Sequence, residues 1–341
     1  MRSYLSVLMA ELMIAGSVIS PVAAREQGNS PAPATTPITH LVVIFQENIS
    51  FDHYFGTYPH AENPAGEPEF TPLPDTPAVN GLSGLLSINN PNLNPANGSG
   101  AMNPFRLDRA QAATADQNHN YGPEQAALHG GLMDLFPSNV GVANSTGIPG
   151  TPVTTKGLNM GYFDGNTVTA LWNYAQKYAM SDNSYDTVFG PSTPGAINLV
   201  AGQTDGVINN TNGTGAITGD GAGGFADIGD ADPAGDVCST SSGEVFQMAG
   251  RNIGDLLNAK GVTWGFYTQG FDLSVTNPNG TTGCKRSTTS LVTASTKADY
   301  IPHHEPFQYY KSTANPTHAR PASVTSIGQT DAANHQYDMH D

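Results

Sequence analysis

The clearest pattern in the chain is an unbroken apolar run, Leu41 to Phe45, that passes without transition into Gln46, Glu47 and Asn48. Five apolar residues with no polar alternation, bounded by polar ones, predict a strand covered on both faces, as in a parallel sheet with helices on either side. Within Thr167–Met180 the residues Leu171, Tyr174, Ala175 and Tyr178 recur at three and four positions, which predicts a helix with that stripe in the core. A further helix is expected over Ser242–Leu257, then Gly261 and a strand in Val262–Thr268, and a last helix opens after Thr330. Strand, helix and strand in succession imply right-handed crossovers and an α/β fold. Between these elements, 63–103 and 205–236 are dominated by Pro, Asn, Gly and Ser and read as long surface excursions.

The N-terminus changes the picture of where the protein works. Arg2, a mostly apolar run and then Val22-Ala23-Ala24 have the layout of a secretory signal over residues 1–24, followed by a Pro- and Ala-rich linker over 25–37. The expected destination is periplasmic or secreted. Glu11 interrupts the apolar run, and an amphipathic N-terminal helix is the other reading. No later run is long and apolar enough to span a bilayer, so no stable membrane insertion is expected once the signal is removed. The two cysteines, Cys238 and Cys284, have no close Cys or His at metal-ligand spacing; in an oxidising compartment they suit one disulfide, with two separate buried thiols as the alternative.

Length and composition set limits on partners. A chain of 341 residues, 38% hydrophobic, can bury a substantial core. With 13 Lys and Arg against 29 Asp and Glu the net charge is -16, which repels phosphate backbones and excludes nucleic acid as a natural partner. The same charge opposes contact with anionic membrane surfaces.

The polar knot after the apolar run is the first candidate for chemistry. In open α/β sheets ligands sit beyond the carboxyl ends of the strands, and Glu47 and Asn48 fall at such an edge. A carboxylate beside an amide carbonyl is a hard-ligand pair for a divalent cation. The competing reading is local: Asn48 or Ser50 caps a short helix starting at Phe51, and Glu47 is solvated.

Four blocks then carry a resemblance. ITHLVVIFQENISFDHYFGTYP resembles the opening motif of the bacterial phosphoesterase family that contains phospholipase C and the acid phosphatase A enzymes. DQNHNYGPEQAALHGGLMDLF, with His119, resembles that family's Asp-x-x-His block; YAMSDNSYDTVFGPSTPGAINLVAGQ resembles its nucleophile block; ADYIPHHEPFQYY, with His303 and His304, resembles its paired-histidine block. The blocks occur in the family's order over most of residues 38–310. The resemblance implies an alkaline phosphatase-like α/β fold, a central mostly parallel sheet with helices on both faces, in a phosphoesterase domain over 38–341.

It also implies roles. Glu47 and Asn48 would bind the metal, Ser192 would be the nucleophile, His119 would sit on the phosphoryl group, and His303 and His304 would line the same cavity with Asn48 and bind substrate. The substrate would be a phosphate ester, either a small phosphomonoester or a phospholipid headgroup. Ser192 stands where phospholipase members often carry Thr, which fits the acid phosphatase side. Ser50 is a rival nucleophile whose position suits a helix cap. The family's later block, a further histidine with an acidic pair, has no counterpart after His304; Asp338 and Asp341 read as the solvated face of the last helix. The expectation is therefore a shortened family member lacking half of its metal site, and the alternative function is a secreted binding protein, or an inactive one, that keeps the fold.

Overall fold

The run Leu41–Phe45 does not become a strand. In the computed structural model, which describes residues 36–45, 47–141, 156–186 and 188–341, it is irregular, pairs with no described strand, and is exposed from 55% at Phe45 to 83% at Leu41. A strand buried on both faces needs neighbours along both edges, and the described strands gather elsewhere. They form one three-stranded sheet and four two-stranded ones, some parallel and some antiparallel. The fold is mixed α/β, but the expected central parallel sheet is not assembled among the described residues. The signal over 1–24 and nearly all of the linker over 25–37 lie outside them. Residues through Thr39 form one unit, within which the Ile38 N–H donates to Thr36 Oγ1 at 3.3 Å, and residues 40–341 form another.

In the larger unit, the helix Ser192–Ala201 follows directly from its sequence. Pro191 precedes it in an extended conformation, and Pro194 falls in the first turn, where a missing N–H costs nothing. Gly202 ends it at φ 71°, its N–H donating to the Asn198 carbonyl at 2.7 Å. Thr193, Pro194, Ile197 and Val200 are buried on one face. That face meets a core of Val207, Phe246, Met248, Phe307 and Tyr309, so truncating a residue such as Phe246 to Ala costs roughly 3–5 kcal/mol.

Three expected elements differ. The segment 205–236 is a framework and not an excursion: Val207–Thr211 pairs antiparallel with Val245–Met248, which pairs in parallel with Asp232–Pro233. Small residues hid this, because Ala216, Ala226 and Ala231 are buried without a strong apolar signal. The helix expected over Ser242–Leu257 divides into the strand Val245–Met248 and the helix Ile253–Ala259. Gly250, at φ 88°, turns the chain between them, and a reciprocal cap from Asn252 and Asp255 starts the helix. In Thr167–Met180 only Thr169–Ala175 is helical, and its buried residue is Trp172; Tyr174 and Tyr178 are exposed and pack on each other. Trp172 packs edge-on against Tyr58 and Phe70, which pulls that face inward.

The stretch 63–103 has little regular structure, and its backbone is held by buried amides. Asn97 is 2% exposed; its Nδ2 donates to the Asn92 and Asp134 carbonyls at 2.9 and 2.8 Å, and its Oδ1 accepts the Ser138 N–H at 3.1 Å. Asn166 does the same for 63–68, donating to the Pro68 carbonyl at 2.7 Å and accepting the Asn63 N–H at 3.0 Å.

The expected final helix is also replaced. Gln336–Asp338 is a buried strand, parallel to Phe266–Thr268, and the latter bears out the strand expected there. Asp338 is not solvated: it lies 3.1 Å from Arg286, which lies 3.2 Å from Asp299, all three side chains being almost fully buried. A buried guanidinium needs such carboxylates, and the end of this strand and the bend at Asp299 supply them.

Cys238 and Cys284 form a disulfide across a separation of 46 residues, with their Cα atoms 5.1 Å apart. Replacing both with Ala is expected to lower unfolding free energy by roughly 2–5 kcal/mol in urea titrations. An unchanged midpoint would mean that the bridge constrains nothing the fold does not already hold.

Candidate active site

Glu47 and Asn48 precede the short helix Phe51–Phe55, and the peptide between them is cis. Ser50 occupies the cap position but makes no capping bond; its hydroxyl meets His53 Nδ1 at 2.7 Å. Two bonds tie this helix to distant chain: the Phe163 N–H donates to the His53 carbonyl at 2.7 Å, and the Trp172 indole donates to the Tyr54 carbonyl at 2.6 Å. Glu47 is thereby held against Ser192. The Ser192 hydroxyl donates to Glu47 Oε1 at 2.9 Å, across 145 residues of sequence.

Ser192 is aimed by its turn. Gly190 has φ 120°, and a Cβ there would come within 2.8 Å of Pro194, so only glycine suits the approach. The Gly190 N–H donates to Glu124 at 2.7 Å, and Tyr121 packs edge-on against Phe189. This is how the His119 block reaches the serine: its helix, Tyr121–Leu128, braces the turn that carries Ser192.

The paired histidines complete the space. His304 Nε2 lies 3.6 Å from Glu47 Oε1, and the His303 and His304 rings cross at 88° with centroids 4.7 Å apart. His303 faces two carboxylates, Asp232 at 3.4 Å from Nδ1 and Asp230 at 3.9 Å from Nε2. Asp230 also accepts both the N–H and the hydroxyl of Thr193, each at 3.0 Å. The two rings are driven apart electrostatically. Burial alone would lower His303, but Asp232, Asp230 and Glu47 outweigh it and the net shift is upward. Burial and the adjacent His303 hold His304 below the ordinary imidazole value despite Glu47.

The structure thus brings Glu47, Ser192, His303 and His304 together. His119 stands close enough to act electrostatically on His304 and Glu124, but its Nδ1 faces the Gln117 carbonyl at 2.9 Å, and it makes no bond to Ser192 among the described residues. Asn48 is exposed beside Glu47 and bonded to neither Ser192 nor the histidines. Sequence reasoning missed Asp230, Asp232 and Glu124. The first two sit in Gly229-Asp230-Ala231-Asp232-Pro233, where two acids at alternate positions among small residues are the only signal.

Two groupings invite comparison as metal sites. The Glu47 carboxylate, the Asn48 amide and the Ser192 hydroxyl are hard oxygen donors, with the His304 nitrogen alongside, and they fit a divalent cation as part of a coordination shell. No third acidic or imidazole group joins them at ligand spacing among the described residues. Asp236, Cys238 and His318 do gather within 4.8 Å. They are already committed: the sulfur is in the disulfide, His318 meets the Phe271 carbonyl at 3.0 Å and Asp236 at 3.0 Å, and Asp236 accepts from Tyr300 and Gln308 at 2.6 and 2.7 Å. Both ring nitrogens of His318 are thus already engaged within the protein.

The model of the Phosphoesterase family matches residues 38–340. The chain belongs to that family. Among curated relatives of this phosphoesterase-family chain, phospholipase C B of Mycobacterium tuberculosis is 26% identical over 197 residues, 55% of this chain and 34% of that protein. Phospholipase C A of the same organism is 26% identical over 192 residues, 54% of this chain and 33% of that protein. The match spans about a third of the length of both relatives.

Behind the site, Asp227 starts the turn that presents Asp230. Its side chain is fully buried, Oδ1 accepts the Gly229 N–H at 3.2 Å, and Oδ2 has no partner among the described residues. Burial pushes this carboxyl up to about 8, with Asp230 and Glu244 adding to the shift against the Gly229 bond. A carboxyl raised in the folded state stabilises fully below its unfolded value and loses that contribution as pH rises through the folded one. Thermal scans from pH 5 to 8 should therefore show the parent losing more stability than Asp227→Asn, the difference approaching about 1.4 kcal/mol per pH unit. Equal slopes would mean that the carboxyl ionises freely in the folded protein.

Proposed function

We propose that this chain hydrolyses phosphoric esters, with Ser192 as the nucleophile. The observation that carries this reading is the 2.9 Å bond from Ser192 Oγ to Glu47 Oε1, beside which His303 and His304 stand. A serine hydroxyl is a weak nucleophile until an acceptor takes its proton or a cation polarises it, and Glu47 is placed to serve either purpose. A divalent cation held by Glu47 and Asn48 would offset charge on the phosphoryl oxygens.

The chain's own groups account for the proton transfers. Ser192 Oγ forms the bond to phosphorus as the bond to the leaving oxygen breaks, and the serine proton passes to Glu47. The leaving oxygen takes its proton from His303, whose facing carboxylates favour the charged ring; His304, where burial and the adjacent ring favour the neutral form, is suited to accept one from the water that later cleaves the phosphoseryl ester, as Glu47 returns its proton to Ser192 Oγ. Ser192 is also the first residue of a helix, whose N-terminal end favours a bound anion. His119 supports the site from the side and would contact a phosphoryl oxygen only after its ring leaves the Gln117 carbonyl.

The alkaline phosphatase-like arrangement belongs to this proposal and is supported by the family match over 38–340. Export to the periplasm or beyond is supported by the N-terminal pattern and by the disulfide, which persists in oxidising compartments. No described helix is long and apolar enough to cross a membrane. One observation favours a second reading, a binding protein that retains phosphate esters without cleaving them: the carboxylates nearest His303 are committed to Thr193 and to the ring, leaving a cation few donors.

Both p-nitrophenyl phosphate and p-nitrophenylphosphorylcholine should be offered with divalent cations added. Turnover of the first alone marks a phosphomonoesterase, and turnover of the second a phospholipase C-type enzyme, as the names of the relatives suggest. Ser192→Ala should lower kcat by roughly 10³-fold or more on whichever ester is cleaved. A parent that binds these esters but turns over neither favours the binding reading.

A further inference from the structure

Asp230 and Asp232 make contacts whose purpose stability does not explain. His303 is 27% exposed and Asp230 34%, and ion pairs that water reaches contribute little to folding. Yet each carboxylate is fixed. Asp232 Oδ2 accepts the Thr240 N–H at 2.9 Å while Oδ1 faces His303 Nδ1 at 3.4 Å. Asp230 Oδ1 is taken by Thr193, the residue after the nucleophile, while Oδ2 faces His303 Nε2 from 3.9 Å.

The two distances assign different work. At 3.4 Å the Asp232 carboxylate, itself fixed by the Thr240 N–H, faces Nδ1 as an ion-pair neighbour outside hydrogen-bond geometry, where its charge favours a proton on Nδ1 and orients that edge of the ring. At 3.9 Å Asp230 forms no hydrogen bond, so the Nε2 proton remains free for an incoming acceptor. Asp230 links the start of the nucleophile's helix to the histidine and sets the spacing between them.

We propose that Asp232 is a positioning residue that holds His303 with Nδ1 protonated and Nε2 presented to the leaving oxygen of a phosphoester, and that Asp230 holds His303 in register with Ser192. This rests on the phosphoesterase reading above. As the phosphorus–oxygen bond breaks, its electron pair goes to the leaving oxygen, the Nε2 proton follows, and the ring is left neutral with its remaining proton on Nδ1. Asp232 itself gains no proton.

A general acid matters most for a basic leaving group, which supplies a readout that a merely structural role would not move. Asp232→Asn should lower kcat by roughly 10²-fold on an alkyl phosphoester but by less than about threefold on the p-nitrophenyl ester, whose leaving group needs no proton. Asp232→Glu should recover part of the alkyl ester rate. Asp230→Asn should lower both rates alike, since it disturbs the spacing to Ser192. An equal fall for both esters in Asp232→Asn, or no fall, overturns the assignment. Nitrogen-15 spectra of the His303 ring give a test independent of turnover and of any variant's folding. The parent should show a protonated Nδ1, and an unprotonated Nδ1 overturns the proposal. A parent inactive on both esters counts against the phosphoesterase reading alone, and the spectrum still decides the positioning.

Discussion

The site depends on how the segment bearing Glu47 is held, and the Trp172 indole bonded to the Tyr54 carbonyl is the central restraint. The bond from Ser192 to Glu47 closes 145 residues, and the length-dependent cost of such a closure is roughly 4 kcal/mol. A single hydrogen bond to a carboxylate contributes about 1.5–3 kcal/mol, still short of that cost. The contact between Ser192 and Glu47 cannot hold the segment in place; it is the result of the placement. Trp172, fully buried between Tyr58 and Phe70, provides the placement, and the Phe163 bond to the His53 carbonyl reinforces it.

The Ser192 side is built on a different principle. There the Ser192–Ala201 helix packs by its apolar face on Phe246, Phe307 and Tyr309, and the Ser192 side chain is set by short polar contacts at the helix's first turn. Glu124 fixes the turn from one side and Asp230 from the other. The geometry of the candidate site is therefore shared between an aromatic cluster near residue 172 and the two carboxylates Glu124 and Asp230. Neither cluster is adjacent in sequence to the residues it positions.

What could be read from the sequence divides along that line. The blocks around Glu47, Ser192 and His303–His304 could be found because the resemblance they carry is local and in order, and the structure brings those four side chains near one another. The Cys238–Cys284 bridge was legible because only one pairing existed. The expected strand at Leu41–Phe45 failed because an apolar run states only a preference for burial, while strand formation requires partners that the described residues do not supply. Tyr174 and Tyr178 matched a helical period, but Trp172, one position off the stripe, had the larger surface to bury and decided which face turned inward. Asp230, Asp232 and Asp338 were invisible as partners, since an acid outside any motif looks the same in sequence whether it meets water, a histidine or a buried Arg286.

The buried asparagines that hold 90–139 carry a consequence for how the molecule ages. Asn97 is followed by Gly98, a neighbour that offers little steric hindrance to attack on the side-chain amide by the following backbone nitrogen, and asparagine is among the thermolabile residues. Loss of ammonia there would convert two donors into acceptors directed at the Asn92 and Asp134 carbonyls, placing oxygen against oxygen in a site only 2% exposed. While the three bonds to Asn97 persist, they hold the amide in place and oppose that attack. Storage life and local order are in this way the same property: the loop is protected from chemical decay for as long as it stays folded, and the first lasting opening exposes the amide on which its refolding depends.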